Sequence, residues 1–102
     1  MKIIKCLTEK IREELQDAEA YIDLANAWKE EDPEAADLFY DLSEEEMEHM
    51  EKLHGEVVKQ IKAYREENGE PPKGMLALYN YMHDKQTEDA MMVKVKQAMY
   101  KD

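Results

Sequence analysis

Prolines interrupt this 102-residue chain at only two places. The first is Glu31-Asp32-Pro33-Glu34. Asp32 suits a helix N-cap, Pro33 the first helical position and Glu34 the first turn. The second is Asn68-Gly69-Glu70-Pro71-Pro72-Lys73-Gly74. Gly69 suits a left-handed helix end, and the two prolines forbid continuation. Between these points the sequence is rich in Glu, Lys, Ala, Leu and Met, and few runs alternate with period two. The reading is all-α, one domain over 1–102. It predicts three helices at about 3–30, 33–67 and 74–100, the first two forming an antiparallel hairpin.

The charge balance narrows the partners. With 25 acidic and 14 basic residues the formal charge is −11. A surface that acidic repels nucleic acid and anionic lipid, so neither is an expected partner. No apolar run approaches the roughly 20 residues that span a bilayer. The N-terminal segment has a basic start but no apolar stretch of signal-peptide length. Cys6 is the only cysteine. No internal disulfide can form, which fits a reducing, cytoplasmic setting. Cys6 is read as a small residue at the edge of helix 1.

Periodicity singles out three intruders. In helix 1, Ile4, Leu7, Ile11, Glu14, Ala18, Tyr21, Ala25 and Trp28 recur at steps of three and four, as one helix face requires. Only Glu14 is charged. In helix 2 the equivalent line is Phe39, Leu42, Glu46, His49, Leu53, Val57, Ile61 and Tyr64, with Glu46 and His49 as exceptions. A buried carboxylate or imidazole is costly unless it is paired, hydrogen-bonded or bound to metal. With the turn near Asp32, Glu14 lies 18 residues before it and His49 lies 17 after it. At about 1.5 Å per residue the two are within roughly a turn of each other along the hairpin. Glu46 is expected opposite Ala18, one layer away. The competing reading is a drifting stripe: five glutamates crowd residues 44–51, so a Glu-x-x-His match arises easily by chance. Glu13 or Glu19 would replace Glu14 if the loop had another length.

Glu14 with Glu46-x-x-His49 resembles one half of a rubrerythrin or ferritin-like di-iron domain. Members of that family carry a lone Glu on one helix and Glu-x-x-His on the next. Tyr21, two turns after Glu14, and Phe39, ahead of Glu46, match further features of the pattern. The resemblance runs from Glu14 to Leu53, about 40 of the 102 residues. It implies Glu14, Glu46 and His49 as metal ligands, with iron as the metal and ferroxidase or peroxide-reducing activity. Carboxylates with an imidazole also suit Zn or Mn. Tyr21 and Tyr64 are candidates to orient a ligand through their hydroxyls, although each also reads as a core aromatic.

The departure from the family is as informative. Such a domain holds two halves in one chain, and Glu46-x-x-His49 is the only such match here. His83 and Glu88 are five apart, which does not put them on one face. A complete two-metal site therefore requires two chains, as in the short encapsulated ferritins, with a homodimer forming a four-helix bundle. Helix 3 shows a face of Met75, Leu78, Tyr79, Met82, Gln86, Ala90 and Val93. Tyr81, Met92, Met99 and Tyr100 lie off it. It is read as a cover for the hairpin or a subunit contact. His54 and His83 are read as surface residues, Trp28 and Phe39 as core, and the eight methionines as gap-fillers. Three functions compete: a redox-active di-iron dimer, a bundle held by Zn or Mn, and a structural or adaptor bundle without metal.

Overall fold

The computed structural model describes residues 2–102 as three helices, with no strand among them. They are α1 (Lys2–Trp28), α2 (Pro33–Asn68) and α3 (Lys73–Lys101). The expected boundaries hold to within one or two residues. The molecule is a rod of 55 × 18 × 18 Å.

Local chemistry explains where each helix stops. Asp32 Oδ1 accepts from the Ala35 N–H at 3.1 Å, satisfying one of the free donors of the first turn. Pro33 follows at the helix start, where its missing N–H costs nothing. At the other end Gly69 has φ 76°, and its N–H donates to the Arg65 carbonyl at 3.0 Å. A residue with a Cβ would be strained in that backbone region.

The four-residue connection returns α2 antiparallel to α1. The buried alanines Ala18, Ala25 and Ala36 let the two axes approach closely. α3 runs back parallel to α1 and lies mainly on it, touching α2 less. Gln86 Nε2 donates to the Thr8 carbonyl at 3.1 Å, and Lys96 meets Asp23 at 2.8 Å. The main core gathers Ile4, Leu7, Ile11, Leu15, Val57 and Val93. A second cluster near the hairpin turn centres on Ile22, Tyr40 and Tyr100, the two tyrosine rings stacked 5.0 Å apart. α3 thus covers the hairpin, one of its two expected roles.

Two expectations about the core need correction. The buried line of α2 is Ala36, Tyr40, Ser43 and Met47, turned toward the bisector between α1 and α3. The expected line of Phe39, Leu42, Glu46 and His49 lies on its flank and is half-buried or exposed. Trp28, expected in the core, is 44% exposed on that same flank. On helix 3 the expected face holds for Tyr79, Met82, Gln86, Ala90 and Val93, which are half-buried or buried, but not at its ends. Tyr100 is buried although it lies off the expected face, whereas Met75 and Leu78 on that face are exposed. The position of α3 decides which side of α2 is buried, and its first turns leave Met75 and Leu78 uncovered while Tyr79 packs on the core. Cys6 is exposed on α1, as read.

Candidate metal centre

Glu14, Glu46 and His49 converge. Each offers a ligand atom, and the three atoms lie within 4.8 Å of one another, the only such group among the described residues. His49 Nδ1 is 3.4 Å from Glu14 Oε2 and 4.0 Å from Glu46 Oε1. The convergence follows from hairpin register. Ser43 Oγ donates to the Ala18 carbonyl at 2.7 Å, so Ser43, not Glu46, stands opposite Ala18. That places Glu46 level with Glu14 itself. The other candidates for the helix 1 position are engaged elsewhere: Glu13 with Lys10 at 3.1 Å and Glu19 with Lys96 at 3.9 Å.

The burial is graded across the site. The side chains of Glu14 and Glu46 are 23% and 19% exposed, while His49 is 54% exposed. The two carboxylates are therefore withdrawn from water and the imidazole forms the outer wall. Proximity and desolvation disfavour two negative charges here. The Glu46 carboxyl is pushed up to about 7, first by its hydrogen bond with Glu14, then by burial and the Glu14 charge, with His49 opposing. A carboxylate donates nothing, so that bond exists only when the pair holds a proton. Without one, Glu14 Oε2 is buried and has no hydrogen-bond partner. A cation between the two carboxylates would replace the shared proton and satisfy the orphaned oxygen. The donor set of two hard oxygens and one imidazole nitrogen fits Fe, Mn or Zn.

The expected accessory residues divide. Tyr21 lies beside the site but stacks on Phe39, ring centroids 6.5 Å apart, and no hydrogen bond joins it to Glu14 among the described residues. Tyr64 is excluded as a ligand-orienting group, because 15 residues of α2 separate it from His49, about 22 Å of helix. His54 and His83, read as surface residues, are half-buried and face one another across α2 and α3 with ring centroids 5.4 Å apart. Tyr79 flanks His83 at 6.0 Å. The spacing of each histidine within its own helix gave no sign of that pairing, which depends on the register between helices. His83 is remote from the Glu14 level and supplies no ligand there.

The open side of the site has a composition of its own. Tyr21, Phe39, Leu42 and Leu53 are half-buried around the three polar residues, and Leu24, Trp28 and Leu38 are exposed beyond them. α3 lies on the opposite side of the hairpin, where Gln97 reaches Ser43 at 3.0 Å. No family model matches the chain, and no curated protein or solved structure is significantly similar to it. No helix among the described residues is long and apolar enough to cross a membrane.

Proposed function

We propose that the chain is a metal-binding protein of ferritin-like design. Two copies pair through the open flank of the hairpin into a four-helix bundle, and each contributes Glu14, Glu46 and His49. The observation that carries this reading is the buried, unpartnered Glu14 Oε2 beside a second carboxyl and an imidazole. A folded chain seldom leaves a buried polar atom orphaned without a functional reason. The apolar rim of Tyr21, Phe39 and Leu42 supports the dimer, since a second hairpin would cover it.

Iron is the metal best suited to this reading, and when bound it would supply electrons to oxygen or peroxide. The chain's own residues hold the site and control its proton. Glu46 releases a proton as the cation enters, so metal affinity rises with pH through about 7. Glu14 and Glu46 offset the metal charge, and His49, on the exposed side, closes the set toward solvent.

The first test is elemental analysis of protein purified without a histidine tag, then an anaerobic ferrous titration and an oxygen pulse. The expected result is about one iron per chain with an absorbance change on oxygen. Glu46→Ala and His49→Ala should each abolish stoichiometric uptake with helical content retained, and unchanged uptake in either refutes the ligand assignment. Metal should also promote dimerisation, since a ligand that binds only the dimer stabilises it by mass action. A monomer at every metal concentration in sedimentation excludes the shared site.

A second reading is a non-catalytic structural or adaptor bundle. The exposure of His49 favours it, as does a carboxyl pair able to satisfy itself with one proton. No metal uptake, with alanine tolerated at all three positions, selects it. Uptake of Zn or Mn without redox turnover selects an assembly staple instead.

A further inference from the structure

The total charge of −11 conceals a divided molecule. Segments 2–8 and 57–82, which meet at one end of the rod, carry six basic residues (Lys2, Lys5, Lys59, Lys62, Arg65 and Lys73) against three acidic (Glu66, Glu67 and Glu70), a net +3. The remainder is therefore −14, and the hairpin-turn end is strongly acidic. Hairpin register explains why the basic end is also open. Glu14 is level with His49 and Ala18 with Ser43, so Lys2 is level with about residue 60 of α2. Beyond that level α2 and the start of α3 continue to 68 and from 73, with α1 no longer between them.

A groove of about 590 Å³ lies there. Its floor includes Ile4, Ile61, Leu76 and Tyr79, and its walls carry Val58 and Leu78. Lys5, Lys62 and Arg65 also line it, with Glu66 the only acidic lining residue. Val58 and Leu78 are 51% and 60% exposed, so the walls present apolar surface to water. The volume falls in the range of small-molecule sites, which are mostly apolar with a few polar groups to orient the ligand. A site of this volume is of a size to take a small amphiphilic ligand. The basic lining selects an anionic head, because Lys5, Lys62 and Arg65 outnumber Glu66 along its apolar surface.

We propose that this groove binds a long-chain fatty carboxylate, its hydrocarbon along Val58, Ile61 and Leu78 and its carboxylate at Lys5, Lys62 and Arg65. Arg65 Nε lies 3.4 Å from Glu70 in an exposed ion pair, which the incoming carboxylate would replace. The site stands apart from Glu14, Glu46 and His49, and the inference does not rest on the metal reading.

The test is calorimetric titration of the full chain with oleate, kept below its aggregation threshold, and with oleyl alcohol as the neutral control. The expected result is saturable binding of one oleate per chain, with the alcohol at least about tenfold weaker. Leu78→Glu and the double variant Lys62→Glu/Arg65→Glu should each weaken oleate by about tenfold or more. Both replace exposed side chains, and unchanged circular dichroism and thermal unfolding verify that the fold is intact. Absent or non-saturable binding overturns the proposal, as does equal affinity for the alcohol. It is also overturned if Leu78→Glu leaves oleate affinity unchanged and alters the sedimenting species instead, which would assign the groove to a second copy. Binding to phosphatidylglycerol vesicles without binding of monomeric oleate overturns it in favour of a membrane surface.

Discussion

The two flanks of the α1–α2 seam treat buried polar groups in opposite ways. On the flank under α3, Ser43 is fully buried yet satisfied twice, donating to the Ala18 carbonyl and accepting from Gln97 Nε2. On the other flank, Glu14 Oε2 is buried with no hydrogen bond, its neighbours a second carboxyl and the His49 imidazole at 3.4 Å. Both flanks belong to the same two helices and similar sequence. The difference is a third element: α3 brings the Gln97 donor to one side, and the other side has the half-exposed His49 imidazole instead. The open flank is where a half-buried carboxyl pair costs stability.

The largest effect that sharpens this contrast belongs to the covered core. Ile22 is fully buried on α1 within the second cluster. Ile22→Ala should destabilise by about 3 kcal/mol, the transfer loss plus the cavity left behind. Chemical denaturation with an unchanged m-value would read it. A cost under about 1 kcal/mol would mean that this seam is loosely packed. In that case burial near Glu14 would carry little meaning.

The next effect should have the opposite sign. Glu14→Leu on the open flank removes a like charge and an orphaned oxygen together. The metal-free protein at pH 8 should become more stable by about 1–2 kcal/mol, while metal uptake disappears. Denaturation with and without added ferrous ion checks both halves. Destabilisation of the metal-free chain would erase the contrast, for it would make Glu14 a structural residue like Ser43.

Much of the fold is legible in sequence because its signals are local. Asp32-Pro33 and Gly69 each act through bonds to residues within four positions, and both boundaries fall where those residues lie. The site is legible for a related reason. Glu14, Glu46 and His49 share a hairpin with a short turn, so axial level follows from counting to within about a turn, an error that set Glu46 opposite Ala18 where Ser43 stands. What counting cannot deliver is azimuth. Whether α2 buries Glu46 or Ser43 depends on where α3 sits, and the low amphipathicity of α3 hides that. The buried Tyr100 has the same origin. Its hydroxyl donates to Asp37 of α2, and its carbonyl accepts from Lys29, contacts 63 and 71 residues apart in sequence. The groove was illegible because it results from helices of unequal reach and not from any motif.

The pH dependence of the metal-free protein probes the open flank alone. Glu46 has its proton affinity raised by folding, from about 4.5 to about 7. The folded state therefore binds more protons than the unfolded chain between those values, and stability falls as pH rises through that window. The expected loss is on the order of 2 kcal/mol, levelling above pH 7. Glu46→Gln should flatten the profile. A profile that rises over the window, or one that Glu46→Gln leaves sloping downward, would show that the two carboxyls do not share a proton.

The smallest effect lies at the hairpin-turn end, where α3 is anchored. Tyr100 is buried, stacks on Tyr40 and donates its hydroxyl to Asp37. That hydrogen bond, burial and the Asp37 charge push its hydroxyl up to about 12. Tyr100→Phe keeps the ring and removes only the bond. It should cost about 1 kcal/mol, less than is usual for a hydrogen bond to a charged group, because the exposed Asp37 regains water. The sign with pH is again set by folding. Tyr100 holds its proton more tightly in the folded chain, so its contribution is present below about pH 10 and is lost as pH rises toward about 12. Denaturation at pH 8 and pH 10.5 on Tyr100→Phe and the parent separates this from general alkaline unfolding, because the difference between the two proteins should shrink with pH. If the covered flank is as fully satisfied as its geometry indicates, removing this bond leaves Asp37 with solvent to turn to, and the metal stoichiometry of Glu14, Glu46 and His49 does not change.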